Sequence, residues 1–194
     1  MQVNVYWVRH GESAGNAGLP TSDHTAIPLT DKGREQAAAL AAGWQVEPDY
    51  IFMSPFTRAV ETARPTIERF PQATVRTFTD LQEFTYLSPA TCVNTTKDER
   101  RPRVDRYWQV CDPYDVDGEG AESFAQLVER CKHFIRMALY PPIDSTIFVF
   151  SHMLCLLCMQ DLLKNPTLSL EKRMRRFRSL PAIKNGECLV SHLE

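Results

Sequence analysis

An α/β sandwich with a largely parallel sheet is the fold class this sequence predicts, and three observations predict it. Short runs rich in β-branched and aromatic residues alternate with stretches of helical length and period. The run Thr146-Ile147-Phe148-Val149-Phe150 is apolar without alternation, as in a strand covered on both faces. Polar segments holding Arg, His, Ser and Glu follow the predicted strands, and in such sheets ligands bind at the strands' carboxyl ends. The chain has 194 residues, which suits one domain over 1–194, since single cores stop growing only at roughly 250 residues.

The first strand is Val3 to Val8, feeding the polar, glycine-containing segment Arg9 to Gly18. Thr30 caps a helix over Asp31 to Ala42, with Ala37, Leu40 and Ala41 as its stripe and Gly43 as its stop signal. Tyr50 to Met53 is a short strand, after which Ser54 and Pro55 suit the N-cap and first position of a helix through Arg58 to about Phe70. Thr74 to Phe78 is the next strand, followed by Leu81-Gln82-Glu83.

Periodicity is lost across 85–120, which is read as an insertion serving as lid and specificity element, its charge run Lys97 to Arg103 a solvated surface or lid. Arg100, Arg101, Arg103 and Arg106 in it are candidates for meeting additional anionic groups. Ser123 and Gln126 form a capping box for a helix through Met137, with Phe124, Leu127, Val128, Cys131, Phe134 and Ile135 inward and Pro141-Pro142 as its end. After the strand at Thr146 to Phe150, Ser151-His152 opens a helix to Leu163, and Glu187 to His192 is the last strand.

Composition excludes several classes. An apolar share of 43% with 24% charged residues is that of a globular protein. A net charge of -2 gives no broad basic face, so no nucleic-acid partner is expected. The longest apolar stretch, Ile147 to Met159, is interrupted by Ser151 and His152 and is too short for a bilayer core of about 30 Å. A strand-like run starts within two residues of Met1, with no secretory pattern before it, and a cytoplasmic location is expected. The six cysteines are expected to be reduced, and Cys155-x-x-Cys158 is read as a helical core pair. His24, His133 and His192 are read as surface or packed residues, and the cluster Lys172 to Arg178 as a solvated helix face.

The strand-end residues suit phosphoryl chemistry. A phosphoryl dianion needs an in-line nucleophile, positive charge around its equatorial oxygens and an acid for the leaving alkoxide. An imidazole with its ordinary pKa of about 6.5 is substantially neutral near pH 7, so His10 or His152 can attack without a metal. Arg9 and Arg58 offer planar donor forks for phosphate oxygens.

Arg9-His10-Gly11-Glu12-Ser13, with Asn16 following, resembles the signature of the histidine phosphatase superfamily, which includes the cofactor-dependent phosphoglycerate mutases. Leu29-Thr30-x-x-Gly33-x-x-Gln36-Ala37, Ser54-Pro55-x-x-Arg58-Ala59-x-x-Thr62-Ala63, Leu81-x-Glu83-Phe84 and Ser151-His152 resemble its later motifs in order. The resemblance implies a three-layer α/β/α, phosphoglycerate mutase-like fold with a largely parallel central sheet. It implies His10 as the phosphorylated nucleophile, Glu83 as the acid, and a phosphate pocket lined by Arg9, Arg58 and His152. Asn16 and the Met153 backbone N–H are further expected phosphate contacts. A carboxylate or carbonyl should fix the tautomer of His10.

Two departures stand out. Met153 replaces the glycine that commonly follows the second histidine. Thr85-Tyr86-Leu87-Ser88-Pro89 replaces a Gly-x-Trp-Glu-Gly-like segment, so the family's substrate-side contacts are not carried over. The expected function is hydrolysis of a phosphomonoester through phosphohistidine, with no metal and no organic cofactor. A mutase-like phosphotransferase and a catalytically weak phospho-ligand binding protein are the rivals. The expected partner is a small phosphorylated substrate, a phosphoprotein being the other class; no membrane partner is expected and no oligomeric state is assigned.

Overall fold

Five strands form one sheet in the order β3-β2-β4-β1-β5 in the computed structural model, which describes residues 2–139 and 144–193. They are β1 (Val3–Arg9), β2 (Tyr50–Met53), β3 (Thr74–Thr77), β4 (Ser145–Ser151) and β5 (Cys188–Leu193). β1, β2 and β3 run parallel to their neighbours around the central β4, and β5 alone runs antiparallel, against β1. The register pairs Arg9 with Ser151 and Met53 with Phe150, so three parallel strands end at one edge.

Alternate strand residues enter two separate cores, which explains the unbroken apolar runs. Val5, Trp7, Phe52, Ile147 and Val149 pack in one cluster with residues of α4 (Phe124–Ala138) and α5 (Met153–Lys164). Val8, Ile51, Phe148 and Phe150 pack in the other with Ala63 and Phe70, from α2 (Thr57–Arg69) and its C-cap, and with Trp44, which caps α1 (Asp31–Gly43). Helices on both faces of a period-2 sheet give the expected three layers.

The caps of α1 and α4 follow the sequence: Thr30 accepts from the Gly33 N–H, and Ser123 and Gln126 form the reciprocal capping box. α4 ends at Leu139 as its C-cap; the Pro141-Pro142 stop lies outside the described residues. The Cys-x-x-Cys pair is buried in α5.

Three expectations are corrected. Ser54 is not a helix cap: α2 begins at Thr57 after Phe56, and Ser54 instead turns the chain, its Oγ accepting from the Phe56 N–H at 3.2 Å. The insertion holds a 14-residue helix, α3 (Lys97–Val110), opened by a Thr96/Glu99 capping box. It shows no apolar stripe because only Tyr107 is buried, with Trp108 packed beside it against Phe84 and Phe177. Arg173 is no solvated residue. It is 1% exposed in α6 (Leu170–Phe177) and ion-paired to the buried Asp161 of α5.

Candidate active site

Parallel strand ends bring the site residues together. His10 follows β1 and donates its backbone N–H to Ser151 O at 3.0 Å, while Ser54 follows β2 and donates to Phe150 O at 3.0 Å. His152, the N-cap of α5, then lies with its ring centroid 5.2 Å from that of His10. Arg58, in the first turn of α2, holds its guanidinium 5.1 Å over the Phe56 ring, and the same ring lies 5.2 Å from His152.

The loop after β1 is held in place by residues of the other motifs. Thr62 Oγ1 accepts from the Gly11 N–H at 3.0 Å, and Gln36 Oε1 accepts from the Glu12 N–H at 2.8 Å. Gly11 and Gly33 allow the loop and α1 to touch backbone to backbone. A Cβ on Gly33 would stand 2.0 Å from Glu12 O, and one on Gly11 would stand 2.6 Å from Gly33 O. Asn185, in the turn before β5, donates through Nδ2 to His10 O, Gly11 O and Asn16 Oδ1, at 3.0, 3.2 and 3.0 Å.

The tautomers of His10 and His152 follow from their partners. Gly11 O lies 2.7 Å from His10 Nδ1, and a carbonyl can only accept, so Nδ1 carries the proton and the lone pair is on Nε2. Ser54 Oγ lies 2.8 Å from His152 Nε2. Ser54 Oγ meets no other acceptor among the described residues, its other contact being the Phe56 N–H that it accepts; with its proton given to Nε2, the proton of neutral His152 stands on Nδ1. His152 Nδ1 and Arg9 Nε are both buried with no hydrogen-bond partner among the described residues. Nη1 of Arg9 is anchored, donating to Ile183 O at 2.6 Å and touching Met153 Sδ at 3.7 Å.

Glu83 reaches the start of α5. Its Oε1 accepts from the Phe84 and Cys155 N–H groups at 2.8 and 3.2 Å, and its Oε2 from the Leu154 N–H at 3.4 Å. The Met153 N–H, first of the helix, is not engaged by Glu83. Asn16 uses Oδ1 to accept from Ser13 and Asn185, leaving its Nδ2 outside that network.

Residues 5–179 match the model of the histidine phosphatase superfamily (branch 1), and the residues described above fall on that match except Asn185 and Ile183. The chain belongs to the histidine phosphatase superfamily. It is 31% identical over 97 residues to a mannitol-1-phosphatase of Eimeria tenella, covering 44% of this chain and 31% of that protein. It is 31% identical over 132 residues to phosphoglycerate mutase-like protein 4 of Arabidopsis thaliana, covering 66% of this chain and 57% of that one. The matches thus span about a third and a little over half of these relatives' lengths. The crystal structure of the alpha-ribazole phosphatase from Shigella flexneri shares the fold, with a TM-score of 0.74 at 24% identity over 98% of this chain and 90% of that one.

In this member of the superfamily, burial sets the electrostatics. Burial, aided by the charges of Arg58 and Arg9 and opposed by the Gly11 hydrogen bond, pushes His10 down to about 3, so it is neutral near pH 7. Burial, with the same cations and His10, holds His152 well below its ordinary value. Burial lowers Arg58 to about 10, still a cation. Burial also raises the Glu83 carboxyl, against the Phe84, Cys155 and Leu154 N–H donors and the Arg58 charge.

A cavity of about 560 Å³ opens over Arg58 and Glu83, lined largely by the insertion from Thr85 to Val104 and by 21–24. His24, read as a surface or packed residue, lies on this wall, and its backbone O accepts from Arg58 Nη1 at 2.7 Å. Ser54, Phe56, Asn185 and His24 are the site residues that sequence reasoning missed in these roles. The signal for Asn185 is the following Gly186, whose φ of 73° marks a tight turn against the end of β1.

Proposed function

We propose that this chain is a phosphatase that hydrolyses a phosphomonoester in two steps through a phosphohistidine on His10 Nε2. The observation that carries this reading is a neutral imidazole, its Nδ1 engaged by Gly11, among buried donors that lack acceptors: Arg9 Nε and His152 Nδ1. Each such donor costs about 1–3 kcal/mol when left unpaired. The equatorial oxygens of a phosphoryl group are the acceptors that remove this cost.

In the first step the Nε2 lone pair forms a bond to phosphorus as the bond to the leaving oxygen breaks, and Glu83 gives that oxygen its proton. In the second, water attacks phosphorus, Glu83 takes a water proton, the N–P bond breaks and inorganic phosphate leaves. Arg9, Arg58 and His152 Nδ1–H stabilise the transferring group, with Asn16 Nδ2 and the Met153 N–H as further donors. Two guanidinium cations supply the positive charge, so the reaction runs without a metal ion.

A cavity of about 560 Å³ fits a small phosphorylated molecule, since pockets for such ligands span roughly 300–1,000 Å³. The insertion at about 85–120 acts as its lid and specificity element. Free thiols at all six cysteines accord with a cytoplasmic enzyme. The test is phosphate release from p-nitrophenyl phosphate in the presence of a metal chelator. Turnover should persist in chelator and vanish in His10→Ala; chelator-sensitive turnover, or an active His10→Ala protein, overturns the reading.

A further inference from the structure

The cavity is of mixed character. Its lining includes Arg58, 7% exposed, and Glu83, and with them an apolar set, Ile27, Tyr86, Leu87, Pro89, Val93 and Val104. Lys97 and Arg100 of α3 also line it, and with Val104 they fall at i, i+3 and i+7, on one helix face. Lys97 is exposed, whereas Arg100 is half-buried and braced, its Nη1 donating to Thr95 O at 2.8 Å and to Thr95 Oγ1 at 2.9 Å. Those bonds leave Nη2 and Nε outside them.

Among the described residues neither Lys97 nor Arg100 has a carboxylate within ion-pair distance, although α3 carries acidic residues. Arg101 and Arg103, which do not line this cavity, are paired with Asp105 and Asp117. Glu99, between the two cavity cations in sequence, is engaged in capping Thr96. Lys97 and Arg100, in no ion pair among the described residues, thus share one cavity with Arg58, Glu83 and the apolar residues; Asp23, which also lines it, is engaged with Thr25, and the exposed Glu99 feels the Arg100 charge from its capping position.

We infer that the substrate carries, besides its phosphoryl group, an apolar body and a second anionic group, the body lying on the Tyr86–Pro89 wall and the second anion meeting Lys97 and Arg100. This rests on the phosphatase reading for the phosphoryl end. The pair selects among phosphomonoesters: a substrate lacking the second anion leaves both cations solvated, and one lacking the apolar body leaves the wall uncovered.

The test uses phenyl phosphates bearing a carboxylate on a tether of none to three methylenes, each against its neutral methyl ester. The best acid should exceed its ester by about tenfold in kcat/KM, mainly through KM, as one good charge-assisted contact provides. Lys97→Gln/Arg100→Gln should bring the acid down to its ester, while Arg101→Gln should keep the preference. Acid and ester equal at every tether length, or a preference that survives in the double variant, overturns the inference. Calorimetric binding of the corresponding phosphonate acid and ester separates the two readings. If nothing is hydrolysed yet the acid phosphonate binds about tenfold tighter and loses that margin in the double variant, the second-anion site stands and the phosphatase reading fails. Equal binding overturns the site.

Discussion

Replacing Glu83 by glutamine isolates the proton-donating step with little structural disturbance. Oε1 makes the two shorter contacts, to the Phe84 and Cys155 N–H groups, and Oε2 only the 3.4 Å contact to Leu154. The amide oxygen of the introduced glutamine can take the Oε1 place, so the variant loses one weak bond at a cost of about 1 kcal/mol or less. In the proposed mechanism the transferable proton sits on Oε2, the less engaged oxygen. A positioned general acid contributes roughly a hundred- to ten-thousandfold, or about 3–5 kcal/mol of barrier, when the leaving group is a basic alkoxide. Steady-state assays of Glu83→Gln should therefore show a kcat/KM loss of that size for an alkyl phosphate. With p-nitrophenyl phosphate, whose phenolate leaves unaided, the loss should be less than about tenfold. An equal loss for both substrates, with unchanged Tm, would refute the role of Glu83 as acid and make it a structural brace of α5.

Other perturbations follow from the same contacts. Gly33→Ala puts a Cβ 2.0 Å from Glu12 O; the overpacking should cost about 1–3 kcal/mol in denaturant unfolding and weaken inorganic phosphate binding at least tenfold by titration calorimetry. Asp161→Ala strands the buried Arg173 charge, so about 3–5 kcal/mol should be lost, lowering Tm by roughly 10 °C, while Asp161→Leu/Arg173→Met should lose less. The pH dependence has a definite sign. His10 titrates at about 3 in the fold against an ordinary 6.5, so between those values the unfolded chain binds a proton that the fold refuses. Stability in phosphate-free buffer should fall as pH drops through that window, by about 1.4 kcal/mol per pH unit per such proton, and His10→Asn should flatten the slope.

Much of this architecture is legible in the sequence because it obeys local rules. The apolar runs of β1 and β4 declare burial on both faces, and the Thr30 and Ser123 caps declare helix starts. α3 escapes because a helix with Tyr107 as its one buried residue, its other contacts being made by charged side chains and Trp108, has no apolar stripe to read, although Thr96-x-x-Glu99 is itself a start signal. Arg173 is misread when charge alone is considered. It falls with Leu170, Met174 and Phe177 at i, i+3, i+4 and i+7, on the apolar face of α6, where its partner had to come from another helix. The motif residues are found by pattern, but their physical reasons are long-range. Ser54 orients His152 across 98 residues of sequence, and Asn185 ties the end of β1 from 175 residues away. Neither pairing leaves a trace in local periodicity, because both arise only when parallel strand ends meet at one edge of the sheet.

The central claim is a covalent bond between phosphorus and His10 Nε2. Its most direct test is intact-mass analysis of protein quenched within milliseconds of mixing with p-nitrophenyl phosphate, with fragmentation to locate the adduct. The account predicts one acid-labile phosphoryl group on His10 in the wild-type protein, absent from His10→Ala and longer-lived in Glu83→Gln, where water is no longer activated. A wild-type protein that releases phosphate with no adduct, or with the adduct on another residue, would contradict it.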